Sequence, residues 1–493
     1  MTFRSEIRDS DIQTLEDKVT GDKYGKYLKR IILKRVRGFT DRVVSLDFPV
    51  TAVVGPNGGG KTTILGAASL AYLEIPPGRF FAKSGRYDAS MKDWSLEFEV
   101  IDRTVNARLP LARTASFPSL KWNRKALLRP VLVFGVTRTI PATERRELVK
   151  AIGNKFSAAS EVELSEPVVD AVEKILGKNI AGFTRLFVDS QKRVSLFAAR
   201  SPGGEQYSEF HFGAGEASVI RIVSDIESAP DNAMILIEEI ENGLHPVATR
   251  RLVEYLIDVA LRKSVQVVFT THSNDAIDPL PPKAIWAAYN GEVLQGKLDI
   301  KALRTITGQV DAKLAVFVED SFAEQMMWTV LRYYGGIELD AVLVHRMGGE
   351  RPAIKVNGQH NLDPTARFPS VCVLDGDQAG KCDPSKSIFA FPGTGMPEAH
   401  IFDVIHGDIE RLAARLAVSL QLPSSAQERV KAVVLDRGLT NRDRHNVFQQ
   451  IGDDLDFTAA SVVGSAFLAI WAQECDSEVR TLVDGFAKHL PLR

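Results

Sequence analysis

The first stretch with residues suited to chemistry is a glycine-rich loop that ends in a lysine and a threonine. Residues 55–62 read GPNGGGKT and satisfy the spacing G-x-x-x-x-G-K-[ST]. In such a loop, backbone N–H groups at a helix N-terminus surround a phosphate, the Lys61 ammonium neutralises its charge and the Thr62 hydroxyl can bind Mg²⁺. The pattern predicts an ATP site, with a chance glycine turn as the alternative. The residues predicted to contact nucleotide here are Asn57, Gly58, Gly60, Lys61, Thr62 and Thr63.

Two acids end an apolar run farther along the chain. In MILIEEIENGLHP the run stops at Glu238 and Glu239. An acid at the carboxyl end of a strand beside a phosphate loop can hold the water shell of the metal, and its neighbour can orient the attacking water. We assign the first role to Glu238 and the second to Glu239, the alternative being a solvated strand end.

A second group of carboxylates suggests metal chemistry in the last third of the chain. Asp375 and Asp377 follow the apolar run VCVL, and Glu319 and Asp320 follow LAVFV. If both runs are neighbouring parallel strands, their acids meet at the carboxyl edge of the sheet, where open α/β sheets place ligands. Such a group repels itself unless it holds a cation, and its oxygen ligands suit Mg²⁺ or Mn²⁺. Asp-Gly is also a common hairpin turn, which is the alternative for Asp375.

Length and composition predict a multidomain globular protein. A chain of 493 residues exceeds what one hydrophobic core usually supports. Hydrophobic residues make up 45%, charged residues 25%, and the formal net charge is −1, which neither favours nor excludes nucleic acid. The three cysteines show no paired or metal-type spacing, and no long apolar run is present, so we expect a cytoplasmic protein without a membrane partner.

Patterns along the chain predict four segments. Residues 1–25 are expected to be a loose N-terminal leader, and 26–311 an ATPase domain with an inserted region at about 100–205. A glycine-containing polar stretch at 290–312 marks the domain boundary. Residues 312–405 show a strand–helix–strand pattern typical of a parallel sheet, and 406–493 read as a mostly helical extension.

Individual elements are predicted by their periodicity. Apolar and charged residues alternate in YLKRIILKRVRGFTDRVVSLDF, as they do in half-exposed antiparallel strands. Continuous apolar runs in AMILIEEI and SVQVVFTTHS predict strands that are buried on both faces. Helices are expected over TERRELVKAIGNKF, EPVVDAVEKILG and HPVATRRLVEYLIDVALRK.

The motifs of the first half resemble those of ABC-type ATPases, and more closely the branch with RecF, the SMC proteins and the overcoming-lysogenization-defect (OLD) nucleases. FGAGE resembles the signature motif, which implies nucleotide contacts by Gly213, Gly215 and Glu216. FTTHS places His272 at the switch histidine that senses the γ-phosphate. The resemblance implies that nucleotide lies between two protomers, and hence a homodimer or higher homo-oligomer.

The acids of the second half resemble the Toprim domain of topoisomerases, primases and OLD nucleases. The resemblance implies acid/base or metal-binding work for Glu319 and metal binding by Asp375 and Asp377. Asp320 departs from the family pattern, and either it supplies a further metal ligand or one metal site is weak. FPGTGMPEAHIF resembles an OLD segment with another ligand, here Glu398, and a surface helix start is the alternative for that residue. Lys431 is a candidate for the lysine that stabilises developing charge, or is a solvated helix lysine.

Several positions depart from these families. Glu238 stands where Asp is usual, Gly213 where Ser is usual, and the ATPase half has no Gln between Thr63 and Val149 for a Q-loop. In the Toprim-like half, Asp320 replaces a glycine and Ala323 an acid. The departures in the ATPase half affect the expected rate of ATP turnover. The departures in the Toprim-like half affect whether two metal ions are bound.

The leading hypothesis is an α/β protein with an ABC-type ATPase domain, a helical and stranded insertion, a Toprim-like parallel domain and a helical C-terminal tail. Its implied activity is ATP-regulated, metal-dependent DNA endonuclease chemistry in anti-phage defence or DNA repair, with ATP and Mg²⁺ (or Mn²⁺) as cofactors and DNA as partner. One alternative is an ATPase sensor or scaffold whose degenerate Toprim fold holds a separate effector protein. Another is a RecF-like repair protein that binds DNA under ATP control.

Overall fold

The computed structural model describes residues 7–119, 121–152, 156–191, 194–200, 204–296, 312–363 and 366–492. The chain divides into two compact units, Met1–Ile300 and Lys301–Arg493. The predicted domain boundary at residue 311 lies in the stretch 297–311, which is outside the described residues.

The first unit contains three sheets and six α-helices among its described residues. Its strands are β1 (Lys26–Val36), β2 (Phe39–Ser45), β3 (Val50–Val54), β4 (Ser95–Asp102), β5 (Leu111–Ser116), β6 (Asn123–Arg124), β7 (Val131–Phe134), β8 (Ser160–Glu163), β9 (Thr184–Phe187), β10 (Ser195–Arg200), β11 (Gln206–Ser208), β12 (Met234–Ile237), β13 (Gln266–Thr271), β14 (Ile285–Tyr289) and β15 (Glu292–Gln295). Its helices are α1 (Asp9–Thr20), α2 (Lys61–Leu70), α3 (Glu166–Leu176), α4 (Ala214–Ser228), α5 (Pro246–Lys263) and α6 (Asn274–Ile277).

The N-terminal segment differs from the loose leader expected over residues 1–25. Helix α1 attaches to the unit through Leu15, which is fully buried. Lys18 Nζ donates a hydrogen bond to Ser264 Oγ at 2.7 Å, and Glu16 pairs with Lys283 at 2.7 Å. One leucine and a few polar contacts anchor this helix, so its apolar periodicity is too weak to predict it.

A six-stranded sheet in the order β15-β14-β3-β13-β12-β7 carries the phosphate loop. All neighbouring pairs are parallel except β14 and β15. Strands β3, β12, β13 and β14 are buried along their whole length. Strands β12 and β13 confirm the two strands predicted from continuous apolar runs. A five-stranded antiparallel sheet, β2-β1-β4-β5-β6, contains the predicted β1–β2 hairpin.

The inserted region is narrower than the expected 100–205. Strands β5 and β6 extend the antiparallel sheet, and β7 pairs in parallel with β12 at the edge of the six-stranded sheet. What remains is a four-stranded sheet, β11-β10-β9-β8, with helix α3. A four-residue edge strand such as β7 is defined by its pairing with a neighbouring strand, and its own sequence pattern is too short to predict it. The inserted region was therefore predicted to be too long.

The stretch TERRELVKAIGNKF is not the predicted α-helix where it is described. It forms two short 3₁₀ turns, Ala142–Glu144 and Arg146–Ala151, while residues 153–155 lie outside the described part. Leu148 and Ala151 pack in a small cluster with Leu196 of β10. Tertiary packing therefore decides the conformation here. The other two predicted helices, α3 and α5, are confirmed.

The second unit is built on a four-stranded parallel sheet. Its elements are β16 (Leu314–Val318), α7 (Ser321–Tyr334), β17 (Val342–Arg346), α8 (Glu350–Leu362), β18 (Ser370–Leu374), β19 (Ile388–Ala390), α9 (Pro397–Gly407), α10 (Ile409–Ser419), α11 (Gln427–Thr440), α12 (Val447–Asp454), α13 (Ala460–Glu474) and α14 (Asp476–Asp484). The strand order is β17-β16-β18-β19, and every pair is parallel, which confirms the predicted parallel sheet.

Sheet and C-terminal helices of the second unit share one hydrophobic core. Val316 and Val373 from the strands belong to the same buried cluster as Phe402 of α9 and Trp471 of α13. The helices after residue 405 therefore complete the core of the sheet. Across the described residues, we find no helix with the length and apolarity needed to cross a bilayer.

Candidate functional site

The phosphate loop of the first unit has a backbone that only glycine fits at two points. Strand β3 ends at Val54, and α2 begins at Lys61. Gly60 has φ +101°, and a Cβ there would lie 2.4 Å from the Phe39 ring. A Cβ on Gly55 would lie 2.2 Å from the carbonyl oxygen of Ala288 in β14. The loop is thus pressed between the hairpin and the sheet, as a rigid phosphate cradle requires.

Lys61 lies over this loop and is 7% exposed. Its Nζ donates hydrogen bonds to the carbonyl oxygens of Gly55 (2.9 Å) and Pro56 (3.0 Å). Burial lowers the pKa of Lys61, and the charges of Glu239 and Glu241 oppose that shift. A phosphate would exchange neutral carbonyl partners for a charged one, which is the favourable change for a partly desolvated ammonium.

The remaining predicted loop residues divide into exposed and buried ones. Asn57, Gly58 and Thr62 are exposed, whereas Thr63 is buried. The hydroxyl of Thr63 accepts a hydrogen bond from the Arg37 guanidinium at 2.9 Å. Thr63 therefore connects α2 to the β1–β2 hairpin, a contact that the sequence motif did not indicate.

The acids after β12 are tied to the end of β13. The backbone N–H of Glu239 donates to Thr270 Oγ1 at 2.8 Å, and Glu239 has φ +46°. The carboxylate of Glu241 accepts from Thr271 Oγ1 (2.7 Å) and from the backbone N–H of His272 (2.5 Å). These bonds place Glu239 and the segment with His272 on one continuous network beside the phosphate loop.

Arg138 is a site residue that sequence reasoning missed. It follows β7, and its guanidinium donates to the carbonyl oxygens of Glu238 (2.6 Å), Glu239 (2.6 Å) and Gly135 (3.0 Å). Burial lowers the pKa of Arg138 to about 10, against the opposing charges of Glu241, Glu239 and Glu238. No local motif surrounds this arginine. Only its position after an apolar strand of the same sheet could have indicated it.

The signature-like segment packs against the loop that follows the two acids. Helix α4 begins just after Gly213, and a Cβ on Gly215 would lie 2.0 Å from the carbonyl oxygen of Gly243. Gly215 thus permits close approach of two backbones. Glu216 pairs with Lys178 at 2.7 Å, so within one protomer its charge is already partnered.

The acids of the second unit meet across two neighbouring strands. Glu319 follows β16 and Asp375 follows β18, and Glu319 Oε1 accepts a hydrogen bond from the backbone N–H of Asp375 at 2.8 Å. Burial is the largest cause that raises the pKa of Asp375 to about 8, and Glu319, Asp320, Glu398 and Asp377 add to it. Asp375 Oδ1 is buried and has no hydrogen-bond partner. The five acids named as metal ligands therefore share one electrostatic environment, hereafter the acidic cluster.

Members of the acidic cluster differ in how they are held. Asp320 caps α7 by accepting from the backbone N–H groups of Phe322 and Ala323, both at 2.9 Å. Asp377 is exposed. Burial raises the pKa of Glu319, and the neighbouring Asp377 adds to that shift. Asp320 thus has a structural task, the capping of α7, which accounts for an acid at this position.

Glu398 lies in the first turn of α9 and is 7% exposed. Burial raises its pKa, and the charge of Asp320 contributes to the shift. His445 Nδ1 lies 3.3 Å from Glu398 Oε1. The structure therefore connects His445, for which the sequence indicated no role, to the acidic cluster through Glu398. An exposed helix start does not describe Glu398.

Lys431 is held by glutamates that are not members of the cluster. Its Nζ is 2.6 Å from Glu410 Oε2 and 4.0 Å from Glu428 Oε2. Those two glutamates are exposed and raise the pKa of Lys431. These contacts fit a surface helix lysine.

The donor set of the acidic cluster fits a divalent cation in its chemistry. Within the described residues, however, no three His, Cys, Asp or Glu side chains are arranged to hold a metal ion. The two observations agree if the ion takes few protein ligands, because Mg²⁺ is usually bound by one or two carboxylates together with water and substrate phosphates. The partnerless Asp375 oxygen and the raised carboxyl pKa values are what a cation would relieve.

Comparisons with known proteins place the first unit among nucleotide-binding domains. Residues 159–278 match the family described as "AAA domain, putative AbiEii toxin, Type IV TA system", and 30–107 match a family described as an AAA domain. A search of curated proteins found no match.

Similar solved structures include the SMC head domain from Thermotoga maritima, with 13% identity, a TM-score of 0.35 and coverage of 54% of this chain and 98% of the other. A structure of the recombination mediator RecF with ATP is 12% identical, with a TM-score of 0.35 and coverage of 55% and 98%. An SMC head bound to the C-terminal winged-helix domain of ScpA is 14% identical, with a TM-score of 0.40 and coverage of 55% and 97%.

The phosphate loop, the acids that end β12 and the two family matches define the class of the first unit. It contains an AAA-type ATPase domain, which implies ATP binding.

Proposed function

We propose that this protein is an ATP-hydrolysing, metal-dependent DNA endonuclease that acts in defence against phage or in DNA repair. The observation that carries the nuclease half is the meeting of Glu319 and Asp375 at the carboxyl edge of the second sheet. Two acids on adjacent parallel strands, with a third two residues on, form the arrangement that phosphodiester chemistry with Mg²⁺ or Mn²⁺ needs.

Asp375 and Asp377 would hold the ion, and Glu319 and Glu398 would complete its surroundings through water. When bound, the ion supplies a Lewis acid for a phosphate oxygen and lowers the pKa of a bound water. Glu319 is kept in place by the N–H of Asp375, so one of its oxygens is oriented before any ligand arrives. Asp320 serves mainly to cap α7 in this arrangement.

In the ATPase half, Lys61 and the loop glycines would bind the phosphates, and Thr62 with Glu238 would bind Mg²⁺ and its water shell. Glu239 would orient the attacking water, and His272 would sense the γ-phosphate, because both belong to the network that joins the ends of β12 and β13. Gly213, Gly215 and Glu216 would contact nucleotide held by a second copy, so ATP would promote a homodimer.

The test of the nuclease is a matched pair of variants. Asp375→Ala should abolish Mg²⁺- or Mn²⁺-dependent nicking of plasmid DNA and leave ATP hydrolysis intact. Glu410→Ala is the control, since Glu410 is an exposed acid of the same unit, 74% exposed and paired with Lys431. Nicking that survives in Asp375→Ala would refute the assignment.

A second candidate function is an ATPase sensor or scaffold whose Toprim-like fold holds a separate effector protein. It is favoured by the lack of a three-ligand metal arrangement within the described residues and by the capping role of Asp320. Under this alternative the purified protein cuts no DNA with any divalent metal, and a second protein co-purifies with it through residues after 312. Cleavage by the protein alone would exclude the scaffold.

A further inference from the structure

A pocket of about 530 Å³ opens beside the acidic cluster in the second unit. Glu398 and His445 form part of its wall, and Ser321, which follows Asp320, forms another part. Because Glu398 also adds to the raised pKa of Asp375, the pocket and the cluster share a side chain. A ligand whose phosphate lies at the cluster would therefore have its next group at the mouth of this pocket.

Three aromatic residues form another part of the wall. Phe322, Trp328 and Phe448 line the pocket. Phe322 and Phe448 are stacked on each other, with centroids 5.3 Å apart and an interplanar angle of 23°. Trp328 is partly buried against the core of the unit, which fixes its ring. Phe448 is 4% exposed, so Phe322 and Trp328 offer the aromatic surface that a ligand can reach. Such surfaces bind flat rings by stacking, and every nucleobase has such a face.

The polar groups of the wall accept hydrogen bonds more than they donate them. Glu398 is a buried carboxylate, and the amide nitrogen of Gln449 is held by Asp453 at 2.8 Å, so its carbonyl oxygen is the atom that can accept from a ligand. None of the described residues that line the pocket is a lysine or an arginine. The wall thus suits the exocyclic amino group of a base and repels a phosphate.

The size of the pocket agrees with this chemistry, since ligand pockets span about 300–1,000 Å³. We propose that this pocket binds one unpaired nucleobase of a DNA strand whose phosphate lies at the acidic cluster. The inference rests on the proposed nuclease function for the position of that phosphate. It adds a substrate class: DNA with an unpaired nucleotide, such as a single strand, a mismatch or a branch, and not a fully paired duplex.

The test uses the full-length protein and a single-stranded oligonucleotide with one 2-aminopurine, in Ca²⁺-containing buffer, so that the readout is fluorescence and not cleavage. Stacking in the pocket should lower the 2-aminopurine fluorescence of the single strand on binding. The same probe in a perfect duplex is already quenched by its neighbouring bases, and its fluorescence should not change. Trp328→Ala should remove most of the quenching and weaken binding about 10-fold. Trp328→Phe keeps a ring at that position and should retain the quenching, which separates stacking from a loss of folding.

The control is Phe457→Ala, because Phe457 is an aromatic residue of the same unit that is 86% exposed and does not line the pocket. Equal quenching in wild type and Trp328→Ala would overturn the inference, as would strand binding without any quenching. If the protein nicks plasmid DNA but gives either of these results, the proposed nuclease function is supported and the nucleobase pocket is refuted. Quenching that depends on Trp328 in a protein that cuts nothing would support the pocket and refute the nuclease.

Discussion

Asp375 donates its backbone N–H to Glu319 Oε1 at 2.8 Å, although 56 positions separate the two residues in the chain. The bond crosses from the end of β18 to the end of β16, its neighbour in the sheet. It fixes the glutamate carboxylate beside an aspartate whose Oδ1 is buried without a hydrogen-bond partner. The energetic cost of this arrangement is the basis of the first prediction.

Asp375→Asn should make the metal-free protein less sensitive to pH. The pKa of Asp375 is about 8 in the folded protein, against roughly 3.9 for an ordinary aspartate. Between those values the folded state keeps a proton that the unfolded state has released. The stabilising contribution of that proton is therefore complete below about pH 4 and is lost as pH rises through about 8.

Thermal unfolding in EDTA at pH 5, 7 and 9 measures this effect. Between pH 5 and pH 9 the melting temperature of wild type should fall several degrees more than that of Asp375→Asn. This corresponds to a difference of about 1–2 kcal/mol or more in the free energy of unfolding. Adding Mg²⁺ at pH 9 should restore stability to wild type only, since a cation relieves a charge that Asn lacks. Parallel melting curves for the two proteins would contradict the raised carboxyl pKa.

The partnership of Glu319 and Asp375 was predictable because both acids end apolar runs that read as parallel strands. The phosphate loop was predictable for the same reason, since glycine spacing is a local property of the chain. The pairing of Glu398 with His445 was not, because it depends on how helix α9 packs against a 3₁₀ turn 47 residues later. Sequence periodicity predicts which face of a helix is buried, but it does not predict which residues contact that face.

Local patterns also failed where a distant partner decides the structure. Strand β7 has four residues, and its identity comes from pairing with β12. Arg138, in the 3₁₀ turn that follows β7, acquires its contacts only when the ends of both strands meet. Leu148 was part of the apolar pattern that predicted a helix over TERRELVKAIGNKF, but it lies in a 3₁₀ turn and packs in a small hydrophobic cluster. These are tertiary effects that outweigh local propensity.

Glu239→Gln should stop ATP hydrolysis without preventing ATP binding. The substitution keeps the shape of the side chain and removes the charge that we propose orients the attacking water, which should lower the hydrolysis rate about 10²–10⁴-fold. The backbone N–H bond of residue 239 to Thr270 Oγ1 is unaffected, so the loop should keep its conformation. Phosphate release and equilibrium ATP binding measure the two effects. Hydrolysis at the wild-type rate would refute the role of Glu239.

Arg138→Met should lower the turnover of ATP more than it raises the KM. The guanidinium contacts the carbonyl oxygens of Glu238 and Glu239, so its removal leaves buried acceptors unpaired beside the acids that we propose for ATP hydrolysis. A cost of roughly 1–3 kcal/mol in their positioning corresponds to about a 5- to 150-fold loss of rate. Arg138→Lys keeps the positive charge but not the bidentate geometry of the guanidinium, so it should recover only part of the lost turnover rate.

The control for that experiment is Arg146→Met, because Arg146 is an exposed arginine eight residues farther along. Steady-state ATPase kinetics on the three variants measure kcat and KM separately. A rise in KM at unchanged kcat would instead indicate that Arg138 contacts bound nucleotide. Equal kinetics for Arg138→Met and Arg146→Met would mean that the guanidinium contributes nothing to catalysis.

Lys431→Ala should leave DNA cleavage unchanged, while Asp377→Ala should abolish it. Lys431 is bound to Glu410 at 2.6 Å and lies near Glu428, and ion pairs with such exposed partners contribute roughly 0–1 kcal/mol. Asp377 is exposed at the acidic cluster and would be a direct metal ligand. Initial rates of plasmid nicking in Mg²⁺ and Mn²⁺ compare the two variants. A loss above about 100-fold in Lys431→Ala would show that its ammonium leaves Glu410 to reach the scissile phosphate when DNA binds, since transition-state charge stabilisation has that magnitude.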